Sequence, residues 1–465
     1  MKRHFASFFS IGILNLIIFL GLFKLFQHDK IYHHTIGAIS QNYERTGDWN
    51  NFEIKKVSKP YTDLNNENIL QWDASIYYCI SERMYIVEEK CYGKVRAAFF
   101  PLFPVIWRLT NTSPIGISLI NYLIFIISTS LLVIYLLNGT KLNKIIIFSI
   151  LITLPSTIIY YIPYTESLFL LTMTIATIGI IKEKYWIYFI GFLLMSMVRP
   201  ATIFVLLAIF ALETLLLLRN KQISLFFKNS LFKAIPFVIG YFISFLVQYL
   251  YSGSCTAFLD AQKHWSGGIQ RITNISDWSI EGFGMNTFSV FFIAIPALLF
   301  VIFVLATLKV NKVIFLKKKD NFKTDYLFLL SIIYLAGIFL FTLITSGGNL
   351  HSFFRFTLTS PFFYIAALIL INYLPNIKTN KIVLFFIVFG FSIFLFLALI
   401  SYGGDRFQFS FVGLYLLISS FFYLAFRNKL SKITDIAMFS ILVISNVFWN
   451  TYIFNVYLCN GWIFT

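Results

Sequence analysis

The chain has 465 residues, of which 58% are hydrophobic and only 12% charged. Soluble globular domains carry about 25% charged residues, so this composition excludes that class. The formal net charge of +17 does not indicate a nucleic-acid partner, because the basic residues are divided among short connections and form no stripe.

Apolar runs of roughly 18–25 residues recur from one end of the chain to the other. Helices need about 20 such residues to cross a bilayer, and only helices or closed barrels satisfy their own backbone there. Barrel strands would alternate over about ten residues, so the fold expected is an all-α polytopic membrane bundle. The N-terminal Met1-Lys2-Arg3 followed by an apolar run has the outline of a signal peptide. No small-residue cleavage site follows, and Lys24 and His28 close the run, so 7–26 is read as a retained first span. Further spans are expected over 113–137, 145–162, 166–181, 186–198, 200–218, 235–251, 287–308, 326–345, 357–374, 382–401, 409–426 and 433–452. The segment 186–198 is short for a crossing, and with 200–218 it forms a broken pair around Arg199-Pro200, where proline removes a backbone donor. The expectation is therefore about 11–13 transmembrane helices in one domain covering 1–465.

Charge sets the orientation. With the N-terminus inside, the cytoplasmic connections hold Lys141, Lys144, Lys182, Lys184, Arg219, Lys221, Lys228, Lys233 and a similar set from Lys309 to Lys432. The short connections opposite hold only Arg199, Lys263, Arg271, Arg355 and Arg406. Lys and Arg concentrate on the cytoplasmic side, which places the long segment 27–112 outside. The run Lys317-Lys318-Lys319 reads as an anchor against anionic lipid. Cys79, Cys91, Cys255 and Cys459 all fall on the outer side, where Cys79–Cys91 or Cys255–Cys459 disulfides are permitted and four free thiols are equally compatible with the spacing.

The loop 27–112 is too long to be a plain connection. After Leu70 it reads Gln71-Trp72-Asp73-Ala74-Ser75-Ile76-Tyr77-Tyr78-Cys79-Ile80-Ser81-Glu82-Arg83, and Ile76, Ile80, Arg83, Met84 and Val87 recur at helical spacing. An amphipathic helix lying at the membrane interface is expected, with Trp72, Tyr77 and Tyr78 at headgroup depth and Asp73 in the helix-capping position. Glu82, Arg83, Glu88, Glu89 and Lys90 make its solvated face. Pro101 and Pro104 in Phe99-Phe100-Pro101-Leu102-Phe103-Pro104 predict a stiff apolar turn into the second span.

The Trp72-Asp73 pair with its Tyr-rich helix, followed by Phe-Phe-Pro-Leu-Phe-Pro about 25 residues later, resembles the PIG-V family of mannosyltransferases of glycosylphosphatidylinositol anchors and their bacterial relatives. Pro163-Tyr164-Thr165-Glu166-Ser167-Leu168-Phe169 is similar to that family's Tyr-Ser-Glu-Ser-Leu-Phe, with weaker echoes at Gln262-Lys263-His264-Trp265 and at Arg355-Phe356. The resemblance implies a GT-C glycosyltransferase: a multi-span body in the cell membrane that moves a hexose, mannose in the family, from a polyprenyl-phosphate carrier to a glycan, glycolipid or protein hydroxyl at the extracytoplasmic face.

That chemistry needs a base for the departing hydroxyl proton and a stabiliser for the phosphate leaving group. Asp73 is the candidate base and Glu166 the second catalytic acid; the bland alternatives are a helix cap for Asp73 and a first-turn acid favoured by the helix dipole for Glu166. Arg199 and Arg355 are candidates for phosphate pairing, with snorkelling to lipid headgroups as the alternative. Trp72, Gln262, His264 and Trp265 complete the candidate binding residues. Two places after Asp73 stands Ser75, where many GT-C enzymes carry a second acid, so no cofactor is called for and a divalent metal stays open. The rival class is a multi-span transporter or lipid flippase, which would show two related halves with ionisable groups near the midplane.

Overall fold

The computed structural model describes residues 2–27, 43–48, 51–56, 63–88, 91–265, 283–309, 322–345, 350, 352–373, 406–427, 430–460 and 463. The span expected over 382–401, Arg271 and Lys317–Lys319 lie outside the described residues. Among the described residues the structure is helical apart from one antiparallel hairpin, β1 (Tyr43–Asp48) and β2 (Asn51–Lys56).

Helix α1 (Lys2–Phe26) leads into the loop, which holds the hairpin, α2 (Asp73–Arg83), a 3-10 segment Gly93–Ala98 and α3 (Leu102–Thr110). Then follow α4 (Pro114–Leu136), α5 (Lys141–Thr153) with a 3-10 continuation Pro155–Tyr161, α6 (Glu166–Lys182), α7 (Tyr185–Val198) and α8 (Ile203–Asn220). Next come α9 (Ile223–Ser252), α10 (Ala257–Trp265), α11 (Phe283–Phe288) and α12 (Ile295–Lys309), the last two joined by a π-helical stretch Ser289–Ala294. The chain closes with α13 (Phe322–Thr345), α14 (Phe353–Thr357), α15 (Pro361–Tyr373), α16 (Arg406–Phe426) and α17 (Lys432–Leu458).

Seven helices among the described residues are long and apolar enough to cross a membrane, so the chain is a multi-pass helical membrane protein. The expected span 145–162 is instead a bent pair, Lys141–Thr153 and Pro155–Tyr161, at 74° to one another. Pro155 has no N–H to continue the ladder, and the carbonyls it strands are taken up by another helix. Asn450 of α17 donates to Thr153 O at 2.9 Å and Leu154 O at 3.2 Å. Since lipid offers no partner to a free carbonyl, these two bonds tie α17 to the bend.

Small residues let helices approach closely where lipid offers no hydrophobic drive. Helices α6 and α7 run antiparallel, with Gly179 against the backbone of Tyr188 and Gly191 against the backbone of Ala176; a Cβ on either glycine would collide with main chain. Helix α9 meets α7 the same way, Gly240 lying on Ser196 and Leu193 O. Helix α9 starts at Ile223, well before the expected span at 235. Lys233, expected in a cytoplasmic connection, therefore lies within a helix, paired with the buried Glu213 of α8 and donating to Tyr326 Oη at 3.0 Å.

In the loop, α2 covers the expected helix but lies on protein rather than on the lipid surface. Ile76, Ile80 and Met84 are buried with Tyr85, Ala97 and Ala261, and Val87 lies beyond the helix end and is exposed. Pro101 and Pro104 do not make an irregular turn: they open α3, at its cap and third position, where the helix has no use for their N–H groups. A disulfide joins Cys79 of α2 to Cys91, ahead of the 3-10 segment.

Gly191→Val is expected to abolish the monodisperse peak of the detergent-solubilised protein in size-exclusion chromatography. Gly337→Ala, where an added Cβ meets nothing within 4 Å, should leave that peak intact. Equal yields would contradict the close approach of α6 and α7.

Candidate functional site

One end of the bundle gathers the loop layer and the beginnings or ends of several helices, and four charged side chains meet there. The first, Asp73, is placed by the segment that precedes α2. Asn65 Oδ1 accepts from the backbone N–H groups of Glu67 and Asn68, and Tyr457 Oη of α17 donates to Ile69 O at 2.9 Å and Gln71 O at 3.1 Å. The chain then turns at Trp72, whose φ of 54° lies in the left-handed region. Trp72, not Asp73, occupies the cap of α2, so the capping alternative for Asp73 does not hold. Asp73 is the first helical residue, its carboxylate favoured by the helix dipole, and its Oδ2 lies 2.7 Å from Arg355 Nη1.

Glu166 is placed by the bend at Pro155 and by α4. Asn121 Nδ2 donates to Ile162 O and to Tyr164 O, both at 2.8 Å, which fixes the irregular run ahead of α6. Glu166 begins α6, is 1% exposed, and receives two guanidinium groups on one oxygen: Arg355 Nε at 2.7 Å and Arg199 Nη1 at 2.9 Å. Its second oxygen, Oε2, is buried without a hydrogen-bond partner. Arg199 caps α7 in an extended conformation, because the following proline disfavours helical backbone at that position. Arg355 sits on the short α14, held by Asn286 Oδ1 accepting from Phe354 N at 3.1 Å and by Thr359 Oγ1 donating to Arg355 O at 2.6 Å. Tyr160 Oη in turn donates to Thr359 O at 2.6 Å, so the bent segment also braces α14.

The cluster runs Asp73, Arg355, Glu166, Arg199, with two charges of each sign. The Arg355 guanidinium also lies 4.7 Å over the Tyr164 ring, and that of Arg199 stands 5.9 Å from Phe169 and 6.0 Å from Phe356. Burial works against the Arg355 charge, but Glu166 and Asp73 outweigh it and hold the group well above its ordinary value. Tyr77, on the same face of α2 as Asp73, is pushed up by burial and then by Asp73, so its phenol stays protonated beside Thr165 Oγ1 at 3.4 Å. The two ends of the cluster are the reachable ones: the Asp73 and Arg199 side chains are 20% and 15% exposed, against 9% for Arg355 and 1% for Glu166.

The structure thus brings together Asp73, Glu166, Arg199 and Arg355, from four separate stretches of chain. Trp72 adjoins them as the turn residue. Gln262, His264 and Trp265 lie on α10, which packs against Gly93–Ala98; the side chains of His264 and Trp265 lie outside the described residues. Sequence reasoning passed over Tyr164, Tyr77, Asn121 and Tyr457. Tyr164 stands two residues before Glu166 and Tyr77 four residues after Asp73, both within quoted motifs, so both could have been included as site residues; Asn121 and Tyr457 show no local signal. Among the described residues no group of three His, Cys, Asp or Glu side chains is placed to hold a metal ion.

Fold and cluster together define a polytopic helical membrane protein with a buried ionic site at one end of its bundle. No family model matches the chain, and neither a curated protein nor a solved structure matches it significantly.

Removing one partner of a buried ion pair costs about 3–5 kcal/mol, because the other charge is left uncompensated. Glu166→Gln is therefore expected to lower the thermal unfolding midpoint in detergent clearly more than Asp73→Asn, whose position is partly solvated. Equal shifts would mean that Glu166 is not the centre of the cluster.

Proposed function

We propose that this chain is a membrane glycosyltransferase of GT-C type, related to the PIG-V mannosyltransferases. In this reading it transfers a hexose from a polyprenyl-phosphate donor to a hydroxyl of a glycan, glycolipid or protein. The charge asymmetry of the connections supports a reaction at the extracytoplasmic face of the cell membrane. The observation that carries the reading is the cluster itself: the two motif acids, Asp73 and Glu166, share Arg355.

In a single displacement, Asp73 takes the proton of the acceptor hydroxyl while its oxygen attacks the anomeric carbon. The bond from that carbon to the carrier phosphate breaks, and the phosphate leaves with the electron pair. Asp73 and Arg199, the more exposed members, suit the two roles that touch substrate: base and partner of the departing phosphate. Glu166 and Arg355 are too enclosed for that contact and act as positioning residues, so Glu166 moves from candidate acid to anchor. Trp72 fixes the approach to Asp73. An apolar cavity of about 540 Å³, lined by side chains including Phe288, Phe300, Phe328, Leu335, Phe363 and Phe422, offers room for a lipid chain within the bundle.

The rival transporter reading finds one feature in its favour, the buried Lys233–Glu213 pair. Glu213 lies seven residues from the end of α8 remote from the loop layer, and its charge is already matched. It is better read as a clamp between α8, α9 and α13.

Membranes containing wild type or Asp73→Asn, supplied with labelled polyprenyl-phosphate mannose and a native lipid extract, test the proposal. Asn preserves shape and removes the base, so transfer should fall by about a hundredfold or more at equal expression. Undiminished transfer by the variant would displace Asp73 from the chemistry, and absence of transfer by wild type would count against the donor and for the transporter.

A further inference from the structure

The 3-10 segment Gly93–Ala98 carries an arginine that the site above does not use. Arg96 is 1% exposed, yet its Nε, Nη1 and Nη2 all lack a hydrogen-bond partner. Among the described residues the other buried arginines, Arg355 and Arg427, both face carboxylates. Guanidinium cannot shed its proton in a protein, so among the described residues Arg96 is a buried cation with no anion in contact. A buried charge that nothing compensates is destabilising. Glu88, an acid that attracts it at a distance, does not serve, being spent on Arg83 at 2.7 Å.

The surroundings of Arg96 are built, not loose. Gln248 of α9 donates Nε2 to Ala97 O at 2.9 Å, and Tyr85 Oη donates to Phe99 O at 2.7 Å. Gln248 Oε1 is a second buried polar atom without a partner. Helix α10 lies against the same segment, and Lys94, two residues before Arg96, is exposed and adds positive charge to it. Gln248 stands four residues from the end of Ile223–Ser252, a helix long and apolar enough to cross a membrane, so Arg96 lies beside one end of such a helix.

We propose that Arg96 is the binding residue of a buried phosphate subsite in the loop layer, which takes the phosphate group of an amphiphile at headgroup depth. The planar fork of the guanidinium matches two phosphate oxygens at once, and Gln248 Oε1 is open to a hydroxyl of the same headgroup. The subsite does not depend on the transferase reading, because it follows from an unmatched cation and from nothing at Asp73.

The test is thermal unfolding of the full chain in a neutral detergent, at fixed ionic strength, with dodecyl phosphate, inorganic phosphate or chloride. Dodecyl phosphate should raise the wild-type midpoint saturably, as a ligand that binds only the folded state must. Arg96→Met should unfold at or above the wild-type midpoint without phosphate, having lost an unpaired buried charge, and should lose the phosphate response. Arg96→Lys, which keeps the charge but not the fork, should retain only part of it. A shift of equal size with inorganic phosphate would support the same subsite with the free anion as its ligand. The proposal is overturned if wild type shows no phosphate-specific shift, if Arg96→Met responds as wild type does, or if that variant unfolds earlier or fails to fold.

Discussion

A carboxylate at 1% exposure, Glu166, is the constraint around which the loop end of this protein is arranged. A bare charge so enclosed would cost more than the fold can supply, and two guanidinium groups on one of its oxygens make it tolerable. Those groups come from the end of α7 and from α14, so their demand for Glu166 holds three separate stretches of chain in register. Arg355 then reaches beyond Glu166 to Asp73 and draws in the loop helix α2. The cluster thus helps to fasten the loop layer and, with the bonds of Asn65 and Tyr457, aims Asp73.

Every member of the cluster sits where regular helix begins, ends or is interrupted. Asp73 and Glu166 are first residues of α2 and α6, Arg199 is the cap of α7, and Arg355 rides on five residues of helix behind Ser352 at φ 61°. Such positions free a side chain to point along the bundle axis instead of outward. They also strand backbone groups, which buried amides and phenols from distant helices collect: Asn121 below Glu166, Asn450 at the Pro155 bend, and Tyr457 behind Trp72. Packing of the glycine-lined faces of α6, α7 and α9 supplies the rigid frame that keeps these bonds aligned.

Much of this was legible in the residues. Apolar runs located the seven long helices, and the Trp72-Asp73 and Thr165-Glu166 motifs with Arg199 and Arg355 named all four charged members of the cluster. Their mutual pairing was not legible, since Arg355 lies 189 residues from Glu166 and no local pattern encodes that contact. Nor was it legible that Arg199, read as a candidate phosphate ligand, pairs with Glu166 from 33 residues away. Proline misled twice, as a straight span at 145–162 and as an irregular turn at Pro101-Leu102-Phe103-Pro104, because its effect depends on whether it falls inside a helix or in its first turn. Arg96 gave no signal at all: an arginine in a loop reads as solvated until its burial is seen.

The central claim is that Asp73 and Arg355 act as one unit, and a double-mutant cycle tests it most directly. Asp73→Asn, Arg355→Gln and the double variant would be compared with wild type by unfolding free energy in detergent. Residues coupled in one ion-pair network show interaction energies of about 0.5–3 kcal/mol, so the double variant should be clearly less destabilised than the sum of the singles. Additive losses, within about 0.3–0.5 kcal/mol, would show that the two side chains do not work together and would contradict the account.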